Sequence, residues 1–600
     1  MGALAGLLVA AGHEVRGSDG PIYPPMSDQL AAMEVTVFSG YAARNLDWKP
    51  EVVVVGNTCK RDNIEVLAAQ ERGYDLKSLP GMLGEHVMGD KHAIVVAGTH
   101  GKTTTSSLMS HILISAQRDP SIFVGGVLSD LGRGWRVGEG ADFVVEGDEY
   151  DSAFFDKQSK FLHYKPQSAV LTSVELDHVD IFSSMEAVRE TFRKFVALIP
   201  DDGLLMVAAS SPEAVTIAEG ADCNVEKYAV EVGEKISQDV AWVIRNVKDL
   251  PSGRCLFEVY RFGELFDNYE MIMSGQHNLE NALACIAVAH SRGIDRREIR
   301  RGVATFSGVA RRQQFRGQAQ GVTIIEDYGH HPSAIATTLR GLHHRFGKKR
   351  LIAVYEPRTA TARRKTFQSE FADAFANADE LIVGALYSPD AIPKEERFDP
   401  AKLALEVHQD GTPATYCADV DSIVEHVVES ARPGEVVVIF STGAFGGIFD
   451  KLLKSLGDAI VPATRSHLEP ISALMVELGI DDRDLSEEKM RDFLALENEN
   501  GLIGCVGLEV FGEDAVLRSL AVSPSQRGIG YGWMLADMTI SLARFRGVRR
   551  LYLVTEKASD FFAAKHGFHI VDLSTAPHSV TKSSTFALRR EGWVPMRLDL

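Results

Sequence analysis

The 600-residue sequence predicts an α/β protein of several domains: three successive strand–helix domains followed by a smaller α+β module. Three observations carry that expectation. Short apolar runs ending in small or acidic residues alternate with helical stretches from residue 1 to about 455. A strand–turn–helix segment rich in Gly and Thr, AIVVAGTHGKTTTSS at residues 93–107, sits inside that series. After KSLGDAIVPATRSHLEP (454–470) the texture changes to consecutive strands, a Gly-rich turn and a helix.

The bulk numbers set the bounds. Six hundred residues exceed one core, because domains hold roughly 100–200 residues. A chain with 45% hydrophobic and 24% charged residues has the balance of a globular protein. The net charge of −19 speaks against nucleic acid or an anionic membrane as partner. Anionic substrates then need local basic or amide-lined pockets. The six cysteines, Cys59, Cys223, Cys255, Cys285, Cys417 and Cys505, are scattered with no CxxC or Cys/His cluster. That pattern indicates neither a disulfide framework nor a thiolate zinc site, and fits a reducing cytoplasm. No apolar run reaches the roughly 18–20 residues of a spanning helix. The opening MGALAGLLVAAGHEVRGSDG lacks a basic leader and runs straight into polar sequence, so it reads as a buried helix rather than a signal peptide. Gly6 stands where a myristoylation signal needs Ser or Thr.

In chain order, residues 1–90 hold the β-rich runs EVRGSD, VTVFSG and EVVVVGN with helical stretches between them, a parallel α/β pattern. Residues 91–317 continue it with longer loops. Residues 318–458 restart it with GVTIIEDYGHHPSAIATTLRGL, RLIAVYEP, ELIVGALY and EVVVIFSTGAFGG. Such strands are buried on both faces, and ligands bind at their C-terminal ends. Residues 463–600 form the last module, with an Asn500-Gly501 hairpin signal inside FLALENENGLIGCVGLEVF.

In Gly98-Thr99-His100-Gly101-Lys102-Thr103 a strand feeds a tight turn. Glycines let the backbone approach a phosphate, and successive N–H groups point inward at a helix N-terminus. Lys102 is placed to neutralise β/γ-phosphate charge and Thr103 to offer a hydroxyl to Mg²⁺. The spacing is shorter than the general motif, with Val96 where its first glycine stands, so an ordinary strand–helix turn is the competing reading. The next strand, DFVVEGDEYD, empties into Glu146, Asp148, Glu149 and Asp151: metal carboxylates or a solvated loop. AVLTSVELDHVDIF ends in Asp177 and His178, where the histidine is either a metal ligand or a hydrogen-bonded loop residue.

The segments AGTHGKTTT, EGDEYDSAFFD, ELDHVDIF, SGQHNLENALACIAVA, GVARRQQFRG and EDYGHHPSAI occur in the order and spacing of the Mur ligases, the ATP-dependent amide ligases of cell-wall peptidoglycan, which residues 1 to about 455 resemble. YPPMS, DSAFFDKQSKFLHY and YEPR look closest to the branch that joins UDP-N-acetylmuramate to recycled L-alanyl-γ-D-glutamyl-meso-diaminopimelate. The resemblance implies a UDP-sugar domain (1–90), an ATP-binding central domain (91–317) and a peptide-binding domain (318–458), the outer two Rossmann-like. It implies ATP and Mg²⁺, and substrates of the UDP-N-acetylmuramate and murein tripeptide kind. It assigns Gly98, Thr99, His100, Gly101, Lys102, Thr103, Thr104, Asn278, Asn281, Arg312 and Asp327 to ATP. Lys102, Glu146 and His178 become the catalytic set, and Thr103, Glu146 and His178 the metal set. Arg358 is the candidate cation for the peptide substrate. His330 and His331 receive no role. Relatives with a carbamylated lysine carry it about fifteen residues past the metal histidine, where this chain has Arg193 and Lys194, so none is assigned. In the family a strand and a Gly-rich loop precede MGALAGLL. The expectation for these 600 residues is a first sheet one strand short and weak sugar-nucleotide binding.

VLRSLAVSPSQRGIGYGWML (516–535) resembles the acetyl-CoA site of GNAT acetyltransferases, with 463–600 most like amino-acid N-acetyltransferases. The resemblance implies acetyl-CoA held by Ala521, Val522, Gln526, Arg527, Gly528 and Gly530, and an amine acceptor that the sequence leaves unidentified. Ser525 departs from the usual Gln/Arg that opens the Gly-x-Gly turn. Ala563 stands where many relatives have a tyrosine acid, so no catalytic residue is named.

Overall fold

A computed structural model describes residues 1–600 except 23–25, 129–130, 178–180, 183, 234–235, 251–253, 274 and 588–591, and except the side chains of residues 28 and 249. By contacts the chain falls into two compact units. One is Met1–Lys248, Leu256–Glu270 and Gln276–Ala310; the other is Asp249–Cys255, Met271–Gly275 and Arg311–Leu600.

In the first unit the opening stretch is a helix, Gly2–Ala10, that buries Leu4, Leu7 and Leu8, the three-and-four spacing of one helical face. Four short strands follow: β1 (Arg16–Asp19), β2 (Thr36–Ser39), β3 (Val52–Val55) and β4 (Asp75–Ser78). They form two separate parallel pairs, β1 with β2 and β3 with β4. The strand DLKS at 75–78 has one apolar residue and no strand signature of its own, and the sequence reading did not name it. Tyr23, Pro24 and Pro25 of the YPPMS segment lie outside the described residues.

The rest of this unit is built on a ten-stranded sheet. Its strands are β5 (His92–Ala97), β6 (Ser121–Leu128), β7 (Arg133–Arg136), β8 (Asp142–Gly147), β9 (Ser168–Leu171), β10 (Leu204–Ala208), β11 (Asn224–Val230), β12 (Trp242–Asp249), β13 (Cys255–Arg261) and β14 (Glu264–Met271). Their order is β14-β13-β12-β11-β10-β9-β5-β8-β6-β7. β5 lies between β8 and β9, parallel to both, with Val96 opposite Glu146 on one side and Val170 on the other. Ala93 to Ala97, Phe143 to Val145 and Ala169 to Leu171 are buried, which is why these runs read as continuous apolar segments.

The second unit has a thirteen-stranded sheet. Its strands are β15 (Gln314–Ala319), β16 (Val322–Asp327), β17 (Leu351–Tyr355), β18 (Glu380–Val383), β19 (Ala414–Tyr416), β20 (Val436–Phe440), β21 (Ala459–Pro462), β22 (Phe493–Asn498), β23 (Gly501–Phe511), β24 (Asp514–Val522), β25 (Arg550–Thr555), β26 (His569–Ile570) and β27 (Val594–Asp599). The order is β19-β18-β17-β20-β16-β15-β21-β22-β23-β24-β25-β27-β26. The stretch from β16 to β19 is parallel, the doubly wound part. The stretch from β21 to β24 is antiparallel.

The segment at which the texture changes contains β21, which pairs with β15 on one side and β22 on the other. One sequence expectation shifts here. The hairpin between β22 and β23 closes on Asn498 and Gly501, so its two loop residues are Glu499 and Asn500. Gly501 is the first strand residue and supplies the positive φ of 111°. Among the described residues no helix is long and apolar enough to cross a membrane.

Ile439 of β20 is fully buried in the core beneath this sheet. Ile439→Ala is expected to cost about 2–5 kcal/mol, read as a lower urea midpoint for the transition of this unit.

Candidate active site

β5 and β8 end side by side, and the groups the sequence singled out gather there. After Ala97 the chain turns through Gly98 (φ 131°) and Gly101 (φ 81°), and the helix Lys102–Ser115 starts with Gly101 as its N-cap. A Cβ at Gly98 would stand 2.2 Å from Thr172 Oγ1. One at Gly101 would stand 2.7 Å from Asn281 Oδ1. Both positions therefore demand glycine for conformation and for space. The strand end at Thr172-Ser173 forms the floor. Ser173 O accepts from the Thr99 N–H (2.8 Å), Ser173 Oγ accepts from the His100 N–H (3.0 Å), and the Thr172 hydroxyl donates to His100 O (2.5 Å). His100 Nε2 lies 3.3 Å from Glu175 Oε2.

Lys102 folds back over its own turn. Its ammonium donates to Gly98 O (2.6 Å), Thr99 O (3.2 Å) and both oxygens of Glu149 (2.8 and 3.0 Å). Burial alone would lower its pKa. The carboxylates of Glu149, Asp148 and Glu146 outweigh that and hold it above the ordinary lysine value. The Thr103 hydroxyl donates to Glu146 Oε1 (2.9 Å), and the Gly125 N–H donates to Glu146 Oε2 (2.8 Å). Burial raises the Glu146 pKa despite Lys102 and these two donors. Burial would raise the Asp148 pKa, but Lys160 at 2.5 Å, Lys102 and the Tyr150 N–H together hold it below the usual carboxylate range. Thr104 follows in the first helical turn, partly buried.

Asn278 and Asn281 are buried on the helix Gln276–Ser291, and Asn281 is the one seated against Gly101. His178 lies outside the described residues. Arg193 and Lys194 pair with Glu186 (2.8 Å) and Glu190 (3.1 Å) on their own helix.

In the second unit Asp327 ends β16 with its carboxyl buried. It accepts from the Gly329 N–H (2.7 Å) and the Gln313 N–H (2.9 Å), so it shapes the chain where β15 begins. Burial raises its pKa, with Arg312 opposing. Arg312 lies over the Tyr328 ring at 5.3 Å. Arg358 stacks on Tyr387 at 3.7 Å and donates to Glu356 at 3.3 Å. It stands at the C-terminal end of β17, on the sheet edge where α/β folds bind ligands.

In the C-terminal module β24 leads into a turn at 523–530. The Gln526 N–H donates to Ser523 O (2.9 Å) and Arg527 Nε to Val522 O (3.2 Å). Gly528 and Gly530 take φ of 83° and 105°, with open space around both, and Gly530 caps the helix Tyr531–Phe545. β24 carries a bulge at Ser519–Leu520 against Val506, and Ser519 has φ 51°. Ala563 is exposed on the helix Ser559–His566.

The sequence reading missed the floor at Thr172-Ser173 and the clamp by Glu149. Glu149 was visible only as one of four acids, and the floor shows itself only when β9 is known to lie beside β5.

Three consecutive domains carrying this turn define a Mur ligase. Residues 1–90 match the Mur ligase catalytic domain, 96–289 the Mur ligase middle domain and 311–443 the Mur ligase glutamate ligase domain. The chain belongs to the Mur ligase family. Residues 462–568 match the GNAT acetyltransferase family, so a GNAT domain follows the ligase. Among individual proteins, the chain is 36% identical over 458 residues to the UDP-N-acetylmuramate–L-alanyl-γ-D-glutamyl-meso-2,6-diaminoheptandioate ligase of Escherichia coli K12, covering 76% of this chain and 96% of the relative. It is 30% identical over 455 residues to the UDP-N-acetylmuramate–L-alanine ligase of Acetivibrio thermocellus, covering 76% and 93%. The crystal structure of a murein peptide ligase from Psychrobacter arcticus 273-4 superposes with a TM-score of 0.58 at 31% identity, over 76% of this chain and 96% of that one.

Mur ligases use ATP with Mg²⁺, and GNAT domains use acetyl-CoA. The residues at the first site fit Mg²⁺. Thr103 Oγ1 and Glu146 Oε1 offer hard oxygen donors side by side, 2.9 Å apart.

Gly101→Ala forces a side chain into the left-handed region and against Asn281. The conformational strain alone is about 1–2 kcal/mol. The expected result is at least tenfold weaker ATP binding by calorimetry.

Proposed function

We propose that the chain is an ATP-dependent ligase joining UDP-N-acetylmuramate to L-alanyl-γ-D-glutamyl-meso-diaminopimelate in peptidoglycan recycling, with an appended acetyl-CoA-dependent N-acetyltransferase. The observation that carries the ligase reading is the convergence of Lys102, Thr103, Glu146 and Glu149 at the ends of β5 and β8. A pairing of cation, hydroxyl and buried carboxylates suits phosphoryl transfer.

The chemistry follows from the weakness of the muramate carboxylate as an electrophile. A carboxylate oxygen attacks the ATP γ-phosphorus, the bond to the β-phosphate oxygen breaks, and ADP leaves. The acyl phosphate so formed is attacked by the free amine of the peptide. The tetrahedral intermediate expels phosphate, and the amine proton is lost. The backbone N–H groups at the start of the Lys102–Ser115 helix cradle the phosphates. Lys102 exchanges its carboxylate and carbonyl partners for β/γ-phosphate oxygens, and Asn281 braces the turn from behind. Thr103 and Glu146, with His178, would hold Mg²⁺, which when bound offsets charge on the phosphoryl oxygens. Arg358, flat on Tyr387, presents a guanidinium suited to a carboxylate of the diaminopimelate arm. Domains 1–90, 91–317 and 318–458 take the sugar nucleotide, the ATP and the peptide.

In the acetyltransferase module an acceptor amine attacks the thioester carbonyl, the C–S bond breaks, and the amine proton passes, directly or through water, to the departing CoA thiolate. The backbone amides of the turn grip the CoA pyrophosphate, with Ala521, Val522, Gln526, Arg527, Gly528 and Gly530 the residues that hold acetyl-CoA.

A second reading, a UDP-N-acetylmuramate–L-alanine ligase, draws on relatives of that name at 30–33% identity. ADP release with ATP, Mg²⁺ and UDP-N-acetylmuramate separates the two. Turnover with the tripeptide supports the first reading, and turnover with L-alanine alone supports the second. No release with either amine leaves a ligase-like binding body carrying an acetyltransferase.

Lys102→Met is expected to lower kcat by about 10³-fold or more, the scale of losing a cation that meets transition-state phosphoryl charge. Arg358→Ala is expected to raise KM for the tripeptide about tenfold or more, the scale of one charge-assisted pair, with KM for ATP unchanged.

A further inference from the structure

The segment joining ligase and acetyltransferase is not a tether. β21 is four residues long and is paired along both edges. Toward the ligase it faces β15, with Ala459 opposite Ala319 and Ile460 opposite Gln318. Toward the acetyltransferase it faces β22, with Ala459 to Pro462 opposite Glu497 to Leu494. Its side chains divide between two cores. Ile460 enters the one beneath the helix Tyr531–Phe545, together with Leu535 and Leu553. Ala459 and Val461 enter the other, in which Ile324 and Ile439 of the ligase share one apolar cluster with Met475 and Phe493 of the module. Asp458, immediately before β21, reaches the acetyl-CoA turn. It accepts a hydrogen bond from the hydroxyl of Tyr531, the first residue of the helix that Gly530 caps, and another from Asn498 Nδ2 at 3.1 Å.

We propose that β21 makes the third ligase domain and the acetyltransferase one folding body, and that Asp458 is a positioning residue that sets the acetyl-CoA turn through Tyr531. The second clause rests on the acetyl-CoA reading given above; the first does not. Cutting a sheet between β15 and β22 would open two unpaired edges and divide an apolar core. Each half therefore lacks the surface that completes it. A charge-assisted bond at the first helical residue fixes the orientation of the N–H groups that precede it, and the turn otherwise stands in open space at Gly528 and Gly530.

Native-state hydrogen exchange on the full chain, without ligand and over a urea series, tests the shared body. Peptides from β16 and β20 and peptides from β22 and β23 are expected to lose protection together, at one urea concentration. Earlier loss in β22 and β23, with β16 and β20 still protected, overturns it. Coenzyme A then serves as the probe for the turn. At 100 times its Kd, exchange through the shared opening should slow by about 100-fold in β16 and β20 as well as in the module. Slowing confined to 463–600 again refutes a single body.

Calorimetry with coenzyme A tests Asp458. Asp458→Ala should weaken binding about tenfold, the scale of one hydrogen bond to a charged group. Asp458→Asn, whose amide oxygen still accepts, should stay within about threefold. Tyr531→Phe should match Asp458→Ala, and the double variant should lose no more than either alone. Equal affinity in Asp458→Ala and wild type, or additive losses in the double variant, rejects the positioning role. A wild-type chain that takes up no coenzyme A defeats the acetyl-CoA reading and the positioning role together, while the ligand-free exchange still decides the shared body.

Discussion

The candidate ligase site depends on one pairing: β5 runs parallel to β8 in a register that sets Val96 opposite Glu146 and Ala97 opposite Gly147. Because side chains alternate along a strand, a slip of one residue would send Glu146 to the opposite face of the sheet. In the observed register the carboxylate meets Thr103 across the start of the helix, and the chain past Gly147 brings Glu149 to Lys102. The register is held by burial. Ile94, Val95 and Val96 are wholly enclosed, as are Phe143, Val144 and Val145. The site thus hangs on the packing of residues that take no part in the chemistry.

Much of this was readable in the residues. A fully buried parallel strand has to be a run of Val, Ile and Ala, and it has to end where polar chain begins, so β5, β8, β9, β17 and β20 announced themselves. The turn was legible because Gly98 and Gly101 are demanded twice, by positive φ and by close neighbours. Less regular pieces were not. β4 has one apolar residue, and it is a strand only because β3 offers it an edge. Thr172 and Ser173 acquire meaning from β9 lying beside β5, a long-range fact with no local signature. Glu149 could not be told from its acidic neighbours, since its distinction is a distance to Lys102.

The chain at 454–470 marks the change of texture, but its strand was not legible for a related reason. Gly457, Pro462 and a run of polar residues after it have the composition of a linker, and β21 within it is only four residues long. Ile460 and Val461 favour a strand, but only the partners on both sides extend so short a run into the sheet. The C-terminal module accordingly extends the sheet of the third ligase domain instead of following it on a flexible arm.

The contact between Lys102 and Glu149 bears on how the proposed site would receive nucleotide. The resting ammonium is no bare cation waiting in a low-dielectric pocket; an anion of the protein's own already sits on it. On the proposed function, an arriving triphosphate would trade places with that anion, so its affinity would be the margin between two ion pairings rather than the strength of either. Such an exchange would discriminate against ligands that bring too little negative charge to win the trade.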